Sequence, residues 1–336
     1  MTLHYRVLLL CAIFITILFT NLSAQRIVVA QDGSGDFKNI QEAINSLPDS
    51  IDNQRVIFIK KGIYREKIFI HKNHITLQGV SEKSVKIIYS EARDIWRCAH
   101  PDDWGTATIN IKASDLVFEN LTVINEYGFK MKEAVVVDCP NDTSGKKVIR
   151  SDGHQMAFRA MPGSTRLIVK NCTFRALGGD TVSPWDVTEG MYYFKNCTME
   201  GGVDFYCPRG WAYAENCHFI CHNKNAAIWH DGSANPTAKT VLKNCTFEGD
   251  DGFKLGRYHK EAQFYLIGCK FPENMADAPI YWVTSAPNPI QWGERIYYYN
   301  CYRKGGDYNW HKNNIETSKV KEINAAWTFA GSWNPK

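Results

Sequence analysis

From Leu167 onward, short runs of alternating apolar and polar residues recur with one punctuation mark, a small polar residue followed by cysteine. The runs read LIVKNCTF, YYFKNCTM, WAYAENCHF, TVLKNCTF, FYLIGCKF and IYYYNCYR. Each has the two-residue period of a half-buried strand and is rich in β-branched and aromatic residues. Counted between successive cysteines from Cys172, the intervals are 25, 20, 28, 24 and 32 residues. An earlier variant, LVFENLTV, places Asn120 51 residues before Asn171, about two such steps. Short strands repeating at this length define a solenoid. The variable spacing suits neither a propeller blade nor a leucine-rich repeat. It predicts an all-β parallel β-helix, in which one strand per turn stacks on its neighbours and the loops differ in length.

Stacking assigns the cysteines a place. Eleven cysteines would ordinarily suggest disulfides in an exported chain. Their recurrence after asparagine instead predicts an inward ladder of small apolar side chains. No Cys-x-x-Cys pair is present, which argues against zinc. The Asn-Cys-Thr sequons are expected to be buried in strands and not glycosylated. A cylinder of strands needs covered ends. The segment DFKNIQEAINSLP supplies an N-terminal capping helix, with Ile40, Ala43, Ile44 and Leu47 on one face and Pro48 as its stop. The aromatic segment from about Trp282 is expected to pack along the outside. No linker-like composition interrupts residues 25–336, which read as one domain.

Residues 1–24 carry Arg6, an apolar run from Val7 to Phe19 and small residues ending at Ala24. That is a secretory signal with cleavage near Ala24, and it predicts a secreted or periplasmic protein. No other segment is apolar enough for stable membrane insertion. The formal net charge of +4 is too small to argue for nucleic-acid binding, yet it does not oppose an acidic polymer. Aromatic residues make up 13% of the chain, which suits carbohydrate contact as well as core packing.

Chemistry on a β-helix requires side chains from neighbouring coils to meet on one outer face. Asp180 lies eight residues after Cys172, Asp204 seven after Cys197, and Arg257 twelve after Cys245. Gln155 precedes this run in SDGHQMAFRA. Two carboxylates, an arginine and a glutamine form a plausible hydrolytic set. His154, His230 and His259 are further titratable candidates, and no Gly-x-Ser-x-Gly elbow offers a serine nucleophile.

Six segments, taken in order, resemble the pectin methylesterase family. VVAQDGSGDFKNIQEAI (28–44) is similar to its opening signature and GIYRE (62–66) to its Gly-x-Tyr-x-Glu motif. HQMAFR (154–159) resembles His-Gln-Ala-x-Ala-x-Arg, and GGDT (178–181) resembles Gln-Asp-Thr. GGVDFYCPRG resembles Gly-x-x-Asp-Phe-x-x-Gly, and LGRYH (255–259) resembles Leu-Gly-Arg-Pro-Trp. The resemblance implies a right-handed single-stranded parallel β-helix and hydrolysis of galacturonate methyl esters in pectin, with no cofactor or metal. It implies Asp204 as nucleophile, forming an acyl-enzyme anhydride, and Asp180 as general acid and then base. Arg257 would keep Asp204 ionised while Asp180 stays protonated. Gln155 would donate to the oxyanion, an interaction worth roughly 3 kcal/mol in comparable sites.

The sequence departs from the family at Gly179, where a glutamine is usual, and at Tyr258-His259, in place of Pro-Trp. Trp185, Arg209, Tyr258 and His259 are candidate substrate contacts, Arg209 for a free carboxylate. The expected partner is methylesterified galacturonan, bound by a monomer. Competing readings are a polygalacturonase-type glycosidase using Asp250 and Asp251, and a catalytically weak pectin-binding β-helix. A calcium-dependent lyase is disfavoured because no clear acidic cluster stands out.

Overall fold

The computed structural model describes residues 26–49, 52–230, 234–283 and 290–335. The expected signal segment lies outside them. Among the described residues the strands form three parallel faces of a β-helix. The first is a ten-stranded sheet running from Arg26–Val29 through Leu167–Lys170, Met191–Lys195 and Trp211–Glu215 to Ile296–Tyr299. The second is a nine-stranded sheet from Gly62–Tyr64 through Thr173–Arg175 and Thr198–Gly201 to Tyr302–Arg303. The third comes in two pieces. Ile68–Ile70, Ala107–Ile111, Met156–Ala160 and Val182–Pro184 make one, and Ala226–His230, Lys254–Tyr258 and Tyr281–Trp282 make the other. Parallel bridges from Tyr206 to Val182 and to Ile228 join them.

Register follows the repeat. Leu167 pairs with Leu116 on one side and Tyr192 on the other, and Thr173 pairs with both Thr122 and Thr198. From Asn120 onward the coils turn a sharp corner between the first two faces, and the punctuation residue makes it. Asn120, Asn171, Asn196, Asn216, Asn244 and Asn300 have φ between 50° and 58°, and Gly268 has φ 63°. Asparagine and glycine tolerate this left-handed backbone best, which explains why glycine alone replaces asparagine in the repeat. The following residue, Leu121 or a cysteine, points inward and is buried. The cysteine ladder therefore stands as expected. The sequon asparagines do not lie buried in strands: they sit exposed at the corner. Their amides form a ladder, Asn171 to Asn120 at 3.3 Å, Asn196 to Asn171 at 3.2 Å and Asn216 to Asn196 at 3.4 Å.

One pair of cysteines departs from the ladder. Cys98 and Cys139 form a disulfide. They lie outside the repeat, one in the helix Arg93–Ala99 and the other just after strand Val135–Asp138 of an antiparallel hairpin, so the repeat context carried no information about them.

The helix Ile40–Ser46 packs against the first strands with Ile40, Ala43 and Ile44 fully buried. Its free N–H groups at Ile40 and Gln41 donate to the Glu66 carboxylate at 3.0 and 2.9 Å. The glutamate of GIYRE is thus a structural cap, and its tyrosine, Tyr64, is fully buried. At the other end the β-helix continues to Arg303, past the expected end near Trp282. The segment after it covers the outside of the first sheet, where Ile323, Phe329 and Trp327 pack on Tyr193, Trp211, Tyr213 and Val241.

The corner geometry predicts the ranking of two variants. Asn196→Ala forces a Cβ-bearing residue without a corner-stabilising amide into the left-handed region and should lower stability by about 1–2 kcal/mol. Asn196→Gly should lose less, and denaturant melts of the two variants measure the difference.

Candidate active site

The third face presents the chemistry. Asp204 lies in the turn after strand Thr198–Gly201, with its N–H bonded to Ala226 O at 2.7 Å. Asp180 lies one coil earlier, before Val182–Pro184. Both adopt left-handed backbone, φ 54° and 59°. Such strain is held only where neighbouring structure fixes it, and it recurs at functional sites. Here the fixing groups are close-packed coils. A Cβ at Gly178 would lie 1.9 Å from Gly153 O, and one at Gly202 would lie 2.7 Å from Leu177 O. Glycines allow the three turns to stack, and the stack sets where the two carboxylates emerge.

Arg257, on strand Lys254–Tyr258, reaches Asp204 with two parallel hydrogen bonds, Nε to Oδ1 at 3.0 Å and Nη2 to Oδ2 at 2.6 Å. This planar, charge-assisted pairing fixes the carboxylate's orientation. It does not dominate the carboxyl's proton affinity. Burial pushes Asp204 up to about 6, with Asp180 adding to the rise and Arg257 and His154 opposing it. Arg257 favours the ionised form, as expected, but desolvation outweighs it.

Asp180 and Asp204 line a cavity of about 240 Å³ with Arg93, Asp103, His154, Met156, Arg159, Trp185 and Arg209. Trp185 packs against two guanidiniums, with Arg159 4.1 Å and Arg209 4.8 Å from its ring centroid. Arg159 is buried and holds Ser183 Oγ at 2.6 Å and Asp103 at 3.2 Å. Arg93 and Arg97 also converge on Asp103, at 2.9 and 3.2 Å. Burial alone would raise the Asp103 carboxyl, but these arginines hold it below the usual range. Arg209 is buried too, donating to Cys207 O at 2.7 Å and to Ser183 Oγ.

Of the residues singled out from sequence, Asp204, Asp180 and Arg257 come together, with Trp185 and Arg209 in the wall. Gln155 does not. It is fully buried, accepts from Gly128 N at 2.9 Å and donates to Ser151 O, so its amide is spent on backbone. His154 faces the cavity instead, with Nε2 3.8 Å from Asp180 Oδ1. The cause is local. The N–H groups of Ala157 and Phe158 both bond Thr181 O, at 2.9 and 3.0 Å, as in a β-bulge, which moves the outward position by one residue. The motif count carried the same signal. In His-Gln-Ala-x-Ala-x-Arg the glutamine stands five before arginine, and the residue five before Arg159 is His154.

Tyr258 is buried in the main core, its ring 6.1 Å from that of Phe264, so it does not line the cavity. His259 lies half-buried just past the strand, outside the cavity lining. The side chain of His230 is outside the described residues. Asp250 and Asp251 are exposed on a separate turn, near His222 and Asn274 respectively, and do not reach this cavity. Sequence reading gave no role to Arg93, Asp103 or Arg159, which form the cavity's charged floor.

Fold and site together define a parallel β-helical protein with an arginine-paired carboxylate and a second carboxylate in a cleft on one outer face. The sequence model of the Pectinesterase family matches residues 26–176. A putative pectinesterase of Arabidopsis thaliana, pectinesterase 11, is 30% identical over 316 residues, covering 90% of this chain and 76% of that protein. A pectinesterase of Petunia integrifolia is 26% identical over 297 residues, covering 83% and 70%. In fold, the chain is similar to a pectin methylesterase solved in complex with a hexasaccharide, with a TM-score of 0.70 at 22% identity over 92% of this chain and 98% of that one. The carrot pectin methylesterase gives 0.68 at 20% identity, covering 91% and 94%. The chain belongs to the pectinesterase family, whose members are carboxylic ester hydrolases.

The electrostatics predict a titration. The Asp204 carboxyl should change protonation near pH 6 when followed by carbon-labelled aspartate NMR. Arg257→Gln removes the opposing charge and should move that midpoint upward; a downward move would contradict the balance described.

Proposed function

We propose that this protein hydrolyses methyl esters of galacturonate units in pectin, releasing methanol through an aspartyl acyl-enzyme. The observation that carries this reading is the Arg257-held carboxylate of Asp204 beside Asp180 in one cleft. Arg257 occupies both Asp204 oxygens on one side, which orients the carboxylate for attack on the ester carbonyl. As the tetrahedral intermediate collapses, the C–O bond to the methyl group's oxygen breaks and Asp180 gives its proton to departing methanol. A water enters, Asp180 takes its proton, and hydroxide attacks the anhydride. The product is a free galacturonate, with Asp204 restored.

The division of labour needs Asp204 ionised. With its carboxyl pushed up to about 6, the reactive fraction grows as pH rises through that value. Trp185, packed against Arg159 and Arg209 in the cavity wall, is the aromatic group placed to contact a sugar ring. The Cys98–Cys139 disulfide favours an oxidising compartment, in keeping with export. Among the described residues no helix is long and apolar enough to cross a membrane.

Methanol release from methylesterified pectin tests the reading. Asp204→Asn should lower kcat by about 10³-fold or more while leaving the thermal midpoint within a few degrees. In the parent protein, kcat/KM should fall on the acid side with a midpoint near pH 6. Near-parental turnover by Asp204→Asn overturns the assignment.

A further inference from the structure

We propose that His154 is a catalytic residue, donating its Nε2–H to the oxyanion that forms on the ester carbonyl, and that Gly179 is the vacancy that admits it. This rests on the esterase reading above. Two observations carry it independently of each other. The first is the state of the donors around the cavity. Gln155 spends its amide on Gly128 and Ser151, Arg93 and Arg159 are bound to Asp103, and Arg209 is bound to Cys207 O and Ser183. His154 is half-exposed in the cleft, and its Nε2 lies 3.8 Å from Asp180, beyond hydrogen-bond distance. Nε2 faces the cavity and is not bonded to Asp180, so in the tautomer with its proton on Nε2 that proton is available to an incoming group.

The second observation is steric. His154 and Gly179 are bridged neighbours on adjacent coils. A Cβ added to Gly179 would stand 3.3 Å from His154 Cδ2 and 3.0 Å from Val203 O. The imidazole therefore lies over the space that a side chain at position 179 would enter. A residue with a long side chain there and a histidine at 154 compete for one volume, so the donor is supplied from one coil or from its neighbour. Loss of glutamine before Asp180 and placement of His154 beside it become one exchange and not two defects.

The step balances without added partners. Attack by Asp204 moves the carbonyl electron pair onto oxygen, where His154 Nε2–H stabilises it. On collapse the pair re-forms the carbonyl, methoxide leaves with the proton from Asp180, and His154 keeps its own. The same donor serves the hydrolytic half-reaction.

Four variants, measured as methanol release together with thermal melts, test this. His154→Ala should lower kcat by about 100-fold or more with KM within about twofold, the range for loss of one oxyanion donor. His154→Gln, which keeps an N–H donor, should stay within about tenfold of the parent. Gly179→Gln alone should lower kcat by crowding the imidazole. Combined with His154→Ala, the same glutamine should raise kcat at least about tenfold over His154→Ala. A His154→Ala enzyme with near-parental kcat overturns the proposal. So do equal losses in His154→Ala and His154→Gln, or a double variant no better than His154→Ala. An inactive Asp204→Asn beside unaffected His154 variants would sink this inference and leave the esterase reading standing.

Discussion

Everything in this molecule depends on the way a coil turns its corner. A β-helix keeps its strands in register only if its coils bend at the same place, and from Asn120 onward the bend is made by a left-handed residue. Asparagine meets that need at six of the corners described, and from Asn120 to Asn216 each amide bonds the next asparagine along the stack. Register then follows without further specification, because the residue after the corner must point inward. Asp180 and Asp204 adopt the same backbone conformation on the other side of the coil, φ 59° and 54°. Aspartate is nearly as tolerant of it as asparagine. A conformation that builds the scaffold at one corner presents the carboxylates at another, and only side-chain chemistry separates the two uses.

That presentation sets the electrostatics. A carboxylate held at a coil surface by a turn cannot withdraw into solvent when a neighbouring coil covers it. Asp204 is consequently desolvated by its own scaffold, and Arg257, two coils further on the same face, compensates only in part. The pairing contributes orientation more than charge stabilisation. Arg257 is locked by strand register, so the carboxylate's angle is set by the same hydrogen bonds that set the fold. The cavity floor follows the opposite principle. Asp103 is surrounded by Arg93, Arg97 and Arg159 and is held charged, so it serves as an anchor for guanidiniums and not as a reactive group.

How much of this was legible in the chain depends on how far each feature is tied to the repeat. The cysteine intervals give the coils, and with them the approximate meeting of Asp180, Asp204 and Arg257. The period of two should also have excluded Tyr258 from the cleft, since a strand that turns Arg257 outward turns the next residue in. Gln155 was harder. Strict alternation back from Arg159 puts Gln155 on the outer face; the doubled hydrogen bonds at Ala157 and Phe158 transfer that position to His154, which in the sequence only the motif count back from Arg159 signals. A bulge is a property of two strands in contact, and a single strand's alternation does not contain it. The Cys98–Cys139 bond was invisible for a related reason. Both cysteines lie on excursions, where the interval between residues says nothing about their distance in space.

The stacked architecture also explains how a site can lose a residue and keep its geometry. Adjacent coils lie one strand spacing apart, about 4.8 Å, so a side chain one coil away can reach a position that its neighbour vacates. At Gly179 the missing side chain is not a void. The space is bounded by Val203 O on one side and the His154 ring on the other, and the His154–Gly179 bridge fixes their separation. Substitution at either position is therefore felt by the other, through contact and not through a relay. In a globular fold, such a compensation would require two distant segments to shift together. In a solenoid it requires only that the register hold, which the asparagine corners ensure independently of what happens at the cleft.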